Sequence, residues 1–129
     1  TGEMKTGPQT DDADTSILDR QTLHELEALG RDPAFLANLA RGFFKDSEVL
    51  LTAMGKAVTE NQVQDYRDLT HALSGNALGI GAKALKTACV AASGIDQERF
   101  RKMGSTLYSD TCSAYRLTRQ ALEKYLGYH

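Results

Sequence analysis

A histidine at position 71 opens the stretch His-Ala-Leu-Ser-Gly-Asn-Ala-Leu-Gly-Ile-Gly-Ala-Lys-Ala-Leu, residues 71 to 85. Neutral imidazole is a nucleophile near pH 7 and can carry a phosphoryl group on nitrogen. Residues 62 to 80, laid on a helix at about 100° per residue, gather Val63, Tyr66, Leu69, Thr70, Leu73, Ala77 and Ile80 into one apolar arc. His71 falls about 150° from the centre of that arc and should meet water. Gln64, Arg67 and Asp68 share its face one or two turns before, and Ser74, Gly75 and Leu78 share it after. Gly75 asks for a reason, because glycine inside a helix costs roughly 1 kcal/mol against alanine. One turn beyond His71, a missing side chain either leaves the imidazole uncovered or lets another helix approach closely beside an ordinary surface histidine.

Other chemistries fit the residues less well. A di-iron helical bundle needs paired Glu-x-x-His motifs, and none occurs. His24, His71 and His129 lie far apart in sequence without ligand spacing, so no metal site is expected. Neither cysteine has a histidine at helical spacing to act as its base. His71 is therefore an exposed imidazole without a catalytic partner of its own, and such a group needs another protein's active site to load and unload it.

The chain has 129 residues, 41% of them apolar, which is the size of one domain able to bury a core. No apolar run reaches the roughly eighteen residues of a membrane span, and the start lacks the pattern of a signal sequence, so the polypeptide itself should be soluble, without direct membrane contact. Fifteen basic and seventeen acidic side chains leave a net charge of −2. The basic residues are scattered, not gathered in a stripe, which argues against nucleic acid as a partner. Cys89 and Cys112 fall within helical patterns at levels differing by roughly 15 Å, beyond disulfide reach, and read as reduced packing thiols in a cytoplasmic protein.

Residues 1–15 are polar and read as a flexible linker or cloning remnant, leaving residues 16–129 as the domain. A first short helix is predicted over 19–29, capped by Asp19, striped by Leu23, Leu26 and Leu29 and stopped by Gly30. Asp32-Pro33 signals the next, which carries Phe35, Leu36, Leu39, Phe43, Leu50, Leu51, Met54 and Val58 to about residue 59, with Gly42 and Asp46-Ser47 as points where it could bend. Asn61 is placed as the cap of the histidine helix. An alanine-rich segment follows over 82–93, and a last helix runs from 96 to about 126 with Phe100, Met103, Leu107, Cys112 or Tyr115, Leu122 and Leu126. No segment alternates as a strand does. The fold class read from this pattern is all-α, an antiparallel four-helix bundle with a short extra N-terminal helix.

The stretch resembles the signature of histidine phosphotransfer domains, His-x-Leu-Lys-Gly followed by Gly-Ala and a leucine. His71, Leu73, Gly75, Gly81, Ala82 and Leu85 match it, and the likeness extends over about residues 17 to 126. The resemblance implies that His71 accepts a phosphoryl group from a receiver-domain aspartate and passes it to another, with Mg2+ held by the receiver and no cofactor in this domain. Gly75 would let the receiver's active site close over the imidazole, and Gln64, Arg67, Asp68 and Leu78 would meet its docking surface. The family usually has lysine where Ser74 stands, so a hydroxyl replaces an ammonium, and Arg67 or Lys83 would compensate. The wording also resembles the C-terminal phosphotransfer domain of RpfC-type hybrid sensor kinases. That likeness implies a parent kinase anchored in the bacterial inner membrane, and a second role as a module that sequesters a signal synthase without phosphorylation.

Overall fold

The computed structural model describes residues 16–30, 32 and 34–127; the 1–15 segment read as a linker, Pro33 and His129 lie outside the described residues. The described residues form five helices and no strand: α1 (Arg20–Leu29), α2 (Phe35–Thr59), α3 (Val63–Ile80), α4 (Lys83–Ala91) and α5 (Gln97–Leu126).

Asp19 starts α1, its carboxylate accepting the amides of Gln21 and Thr22 at 3.1 and 3.4 Å and the Thr22 hydroxyl at 3.0 Å. The hydrogen bond from the Thr22 hydroxyl, with those from the amides, holds that carboxyl below its ordinary range. Gly81 ends α3 in the left-handed region at φ 74°, and its carbonyl accepts the Asp19 N–H at 2.8 Å. A Cβ on Gly81 would stand 3.0 Å from the Asp19 carbonyl oxygen, so both the backbone angle and the close approach call for glycine. Asp96 caps α5 by accepting the Arg99 amide at 2.8 Å.

Two helix starts differ from the sequence reading. The Asp32 carboxylate accepts the Ala34 amide at 2.9 Å, but helical structure begins at Phe35 and then runs unbroken past Gly42 and Asp46-Ser47. Asn61 does not cap α3. It takes φ 56° in the turn that closes α2, while Gln62 precedes α3 without a side-chain cap. Asparagine tolerates the left-handed conformation, and the turn uses it for that.

α2 packs on α3, α3 on α4, α4 on α5 and α5 back on α2, while α1 lies across α2 and α3. Leu23, Leu36, Phe43, Met54, Tyr66, Leu73, Ile80, Leu85, Phe100 and Leu122 fill the space between them. Tyr66 and Phe100 bring their rings to 5.0 Å. Between α5 and α2, the Tyr108 hydroxyl donates to the Leu51 carbonyl at 2.8 Å and the Tyr115 hydroxyl donates to Glu48 at 2.6 Å. Arg119 pairs with Glu48 and lies 4.6 Å over the Phe44 ring.

Three residues placed in apolar stripes face water instead. Leu29 at the end of α1 is 75% exposed, and Leu39 on α2 and Met103 on α5 are also exposed. The buried positions of α5 are Phe100, Gly104, Leu107, Thr111, Tyr115, Thr118 and Leu122, so its inner seam advances by threes and fours and takes in a glycine and two threonines as well as apolar side chains. The threonines can occupy it because Thr111 and Thr118 return their hydroxyls to the carbonyls of Leu107 and Ala114, each at 2.8 Å.

Opposite faces of α3 should respond oppositely to truncation. In urea unfolding, Leu73→Ala should cost roughly 2–5 kcal/mol and His71→Ala should stay within about 0.5 kcal/mol of wild type. Comparable losses for the two would contradict the orientation of α3.

Candidate functional site

α3 turns Tyr66, Thr70, Leu73, Ala77 and Ile80 inward and leaves His71 exposed. Two hollows flank this exposed face. On the α4 side, a hollow of about 210 Å³ is lined by Arg67, Thr70, His71 and Ser74 together with Cys89, Val90, Ser93 and Gly94. On the α2 side, Gly75, Asn76, Gly79 and Ile80 meet Leu39, Gly42, Phe43 and Asp46 around a hollow of about 290 Å³. A Cβ added to Gly42, Gly75 or Gly79 would find nothing within 4 Å, so no neighbour in the described structure requires these glycines. Their effect is to leave the surface beside His71 without side chains.

The structure brings some of the site residues read from sequence to His71 and separates others. Ser74 shares its hollow. Arg67 also lines it, but its guanidinium is engaged: Nε donates to the Ile95 carbonyl at 2.6 Å and another nitrogen donates to the Gln64 side chain at 3.3 Å. Gln64 in turn donates to Asp68 at 2.9 Å, which ties the outward residues before His71 into one chain. Leu78 is 60% exposed and lies in a third hollow, of about 230 Å³, with Asp19, Thr22, Lys83 and Lys86. Lys83 is thus grouped with Leu78, away from the hollow that His71 lines.

Thr70, Cys89, Val90, Ser93 and Gly94 had no place in the sequence reading of the site. Thr70 is buried in the α3 stripe where its spacing predicts it, and the others belong to α4 and the loop after it. Their proximity to His71 is a product of helix pairing, which no spacing within one helix reveals. Gly42 and Gly79 carry a usable signal, an unexplained glycine inside a helix; Gly79 stands one turn beyond Gly75 on α3, and the packing of α2 on α3 brings Gly42 beside them.

Burial pushes the Cys89 thiol up to about 12 and, with a smaller contribution from Cys89 itself, the Tyr66 hydroxyl to about 12. Cys89 and Cys112 are both free thiols. Among the described residues, no group of three or more His, Cys, Asp or Glu side chains is placed to hold a metal ion, and no helix is long and apolar enough to cross a membrane. Comparison of the chain with protein-family models, curated proteins and solved structures returned no match.

Gly75→Ala should stabilise the protein by about 0.5–1 kcal/mol, read as a higher thermal midpoint, because the methyl group enters open space and removes glycine's entropic penalty. A lower midpoint would show that the backbone at Gly75 is constrained. Alkaline unfolding has a defined sign as well. The unfolded chain releases the Cys89 and Tyr66 protons near 9.0 and 10.0, whereas the folded chain keeps both to about 12. Stability should therefore be complete below pH 9 and decline as pH rises toward 12. Urea midpoints measured across that interval check it, with Cys89→Ala flattening the decline.

Proposed function

We propose that this chain is a histidine phosphotransfer domain, built as an antiparallel four-helix bundle of α2 to α5 with α1 as the extra N-terminal helix. The observation that carries the reading is the position of His71, exposed on a face that is bare one turn away at Gly75. A partner's active site needs that access, because the domain supplies a nucleophile and no other catalytic group.

In the proposed step a ring nitrogen of neutral His71 attacks the phosphorus of an aspartyl phosphate on a receiver domain. The N–P bond forms as the acyl O–P bond breaks, the aspartate leaves as carboxylate with the electron pair, and the proton on the other ring nitrogen passes to water. Return to a second receiver reverses these bonds. Mg2+ held by the receiver would supply the charge that neutralises the phosphoryl oxygens, while this chain supplies the His71 nitrogen. Gly75, with Gly42 and Gly79, lets the receiver's surface approach closely, and the exposed Leu78 and the Gln64–Asp68 pair meet its edge. The domain works in the cytoplasm, as part of a larger sensor kinase held in the inner membrane.

A second reading, a binding module that sequesters a partner enzyme without phosphorylation, is favoured by Leu78, whose exposure beside Lys83 and Lys86 gives an apolar contact with a basic edge. The two readings separate experimentally. Incubated with a panel of radiolabelled phospho-receiver domains, the wild-type protein should take up acid-labile label, His71→Gln none, and Gly75→Ala should load about tenfold more slowly or worse despite being better folded. Failure of every receiver to label the wild type, or equal labelling of His71→Gln, ends the carrier reading. An enzyme partner retained equally by wild type and His71→Gln would establish the binding reading instead.

A further inference from the structure

Ser74 leaves the phosphorylated histidine without the usual ammonium, and the hollow that His71 shares with α4 offers a different set of donors. Ser74 comes from α3, Ser93 from the loop after α4, and Thr70 from the inner edge of α3. Thr70 is 4% exposed, and its hydroxyl lies near that of Tyr66, yet neither oxygen makes a hydrogen bond of good geometry. A buried hydroxyl without a partner costs about 1–3 kcal/mol and marks a place where an acceptor is missing.

Arg67 has a role here other than direct compensation for the missing lysine. Its bond to the Ile95 carbonyl fixes the loop that carries Ser93 and Gly94 alongside α3. Gly94 bends that loop at φ 68° with no atom near its Cβ position, so the mouth of the hollow stays open on that side.

We infer that the hollow between α3 and α4 is the binding site for the phosphoryl group carried on His71, with the hydroxyls of Ser74, Ser93 and Thr70 as its donors and Arg67 as a positioning residue. The inference rests on the reading of His71 as a phosphoryl acceptor, but not on any receiver. Within the hollow, the titratable groups beside His71 are Arg67 and Cys89. The Cys89 thiol, pushed up to about 12 by burial, stays neutral and adds no repulsion to a dianion.

Donors to phosphoryl oxygens favour the dianion and lower the pH at which it forms. The protein is therefore phosphorylated directly with phosphoramidate, a small-molecule donor that needs no partner, and titrated by 31P NMR. The resonance lost in His71→Gln belongs to the site and separates it from His24 and His129. Its titration midpoint should rise by about half a unit or more in Ser74→Ala/Ser93→Ala, and rise in Thr70→Val, while Ser109→Ala on α5 leaves it unchanged. Arg67→Lys, which keeps the charge but loses the two-pronged tie to Ile95 and Gln64, should also raise it.

A midpoint unmoved by the double serine substitution, an equal change from Ser109→Ala, or no His71-dependent resonance would overturn the site. An unmoved or lowered midpoint in Arg67→Lys would overturn the positioning role. Loading by phosphoramidate with the expected shifts, together with no labelling by any receiver, would support the hollow and end the relay. Labelling by a receiver with no shift would do the reverse.

Discussion

Burial of one face of α3 is the constraint on which the rest of this structure depends. Tyr66, Leu73, Ala77 and Ile80 can leave water only if α2 and α4 close on either side, and α1 covers the end of the helix through the bond from the Asp19 amide to Gly81. Fixing four side chains inward fixes their neighbours outward, since the helical period allows no independent choice. His71 is exposed because Leu73 and Ala77 are buried. The site is thus a consequence of the core, and a reactive group is held in the open without any interaction devoted to it.

Legibility in the sequence followed the range of the interactions. Helix ends depend on residues within a turn of each other, and Asp19, Gly81 and Asp96 act as their types suggest. The face of α3 was legible because Tyr66, Leu73 and Ile80 leave little ambiguity of period. α5 was less so. Its seam contains Gly104, Thr111 and Thr118, residues that hydropathy does not mark as buried, and Met103 drew the stripe off by one position. The hydroxyls there are tolerated because they satisfy themselves on their own helix, a property visible only once the backbone is in place.

The site divides in the same manner. His71, Ser74 and Gly75 stand within one turn of helix, so their common surface follows from geometry alone. Ser93 and Gly94 come to His71 through the packing of α4 on α3, and Gly42 comes to Gly75 through α2. Lys83 is the reverse case. It is twelve positions beyond His71, but the left-handed turn at Gly81 redirects the chain, and the side chain joins Leu78 and Lys86 in a separate hollow. A cation near in sequence is not thereby near in space when a helix ends between the two.

Replacing an ammonium by hydroxyls changes the character of phosphoryl stabilisation, beyond its strength. A lysine on the same helix acts through charge, over a distance and with little demand on geometry. Hydroxyls act only in contact, so they require the surrounding helices to be placed to within a few tenths of an ångström. The tie from Arg67 to Ile95 joins α3 to the loop after α4 at the point where that accuracy matters, using the guanidinium's fixed fork where a lysine would supply a single flexible donor. The charge of Arg67 is thereby used to hold the frame around the hollow that His71 lines. Under the proposed reading, a domain organised in this way would hold a phosphoryl group by fit, and anything that loosens α4 against α3 would weaken that hold without touching His71.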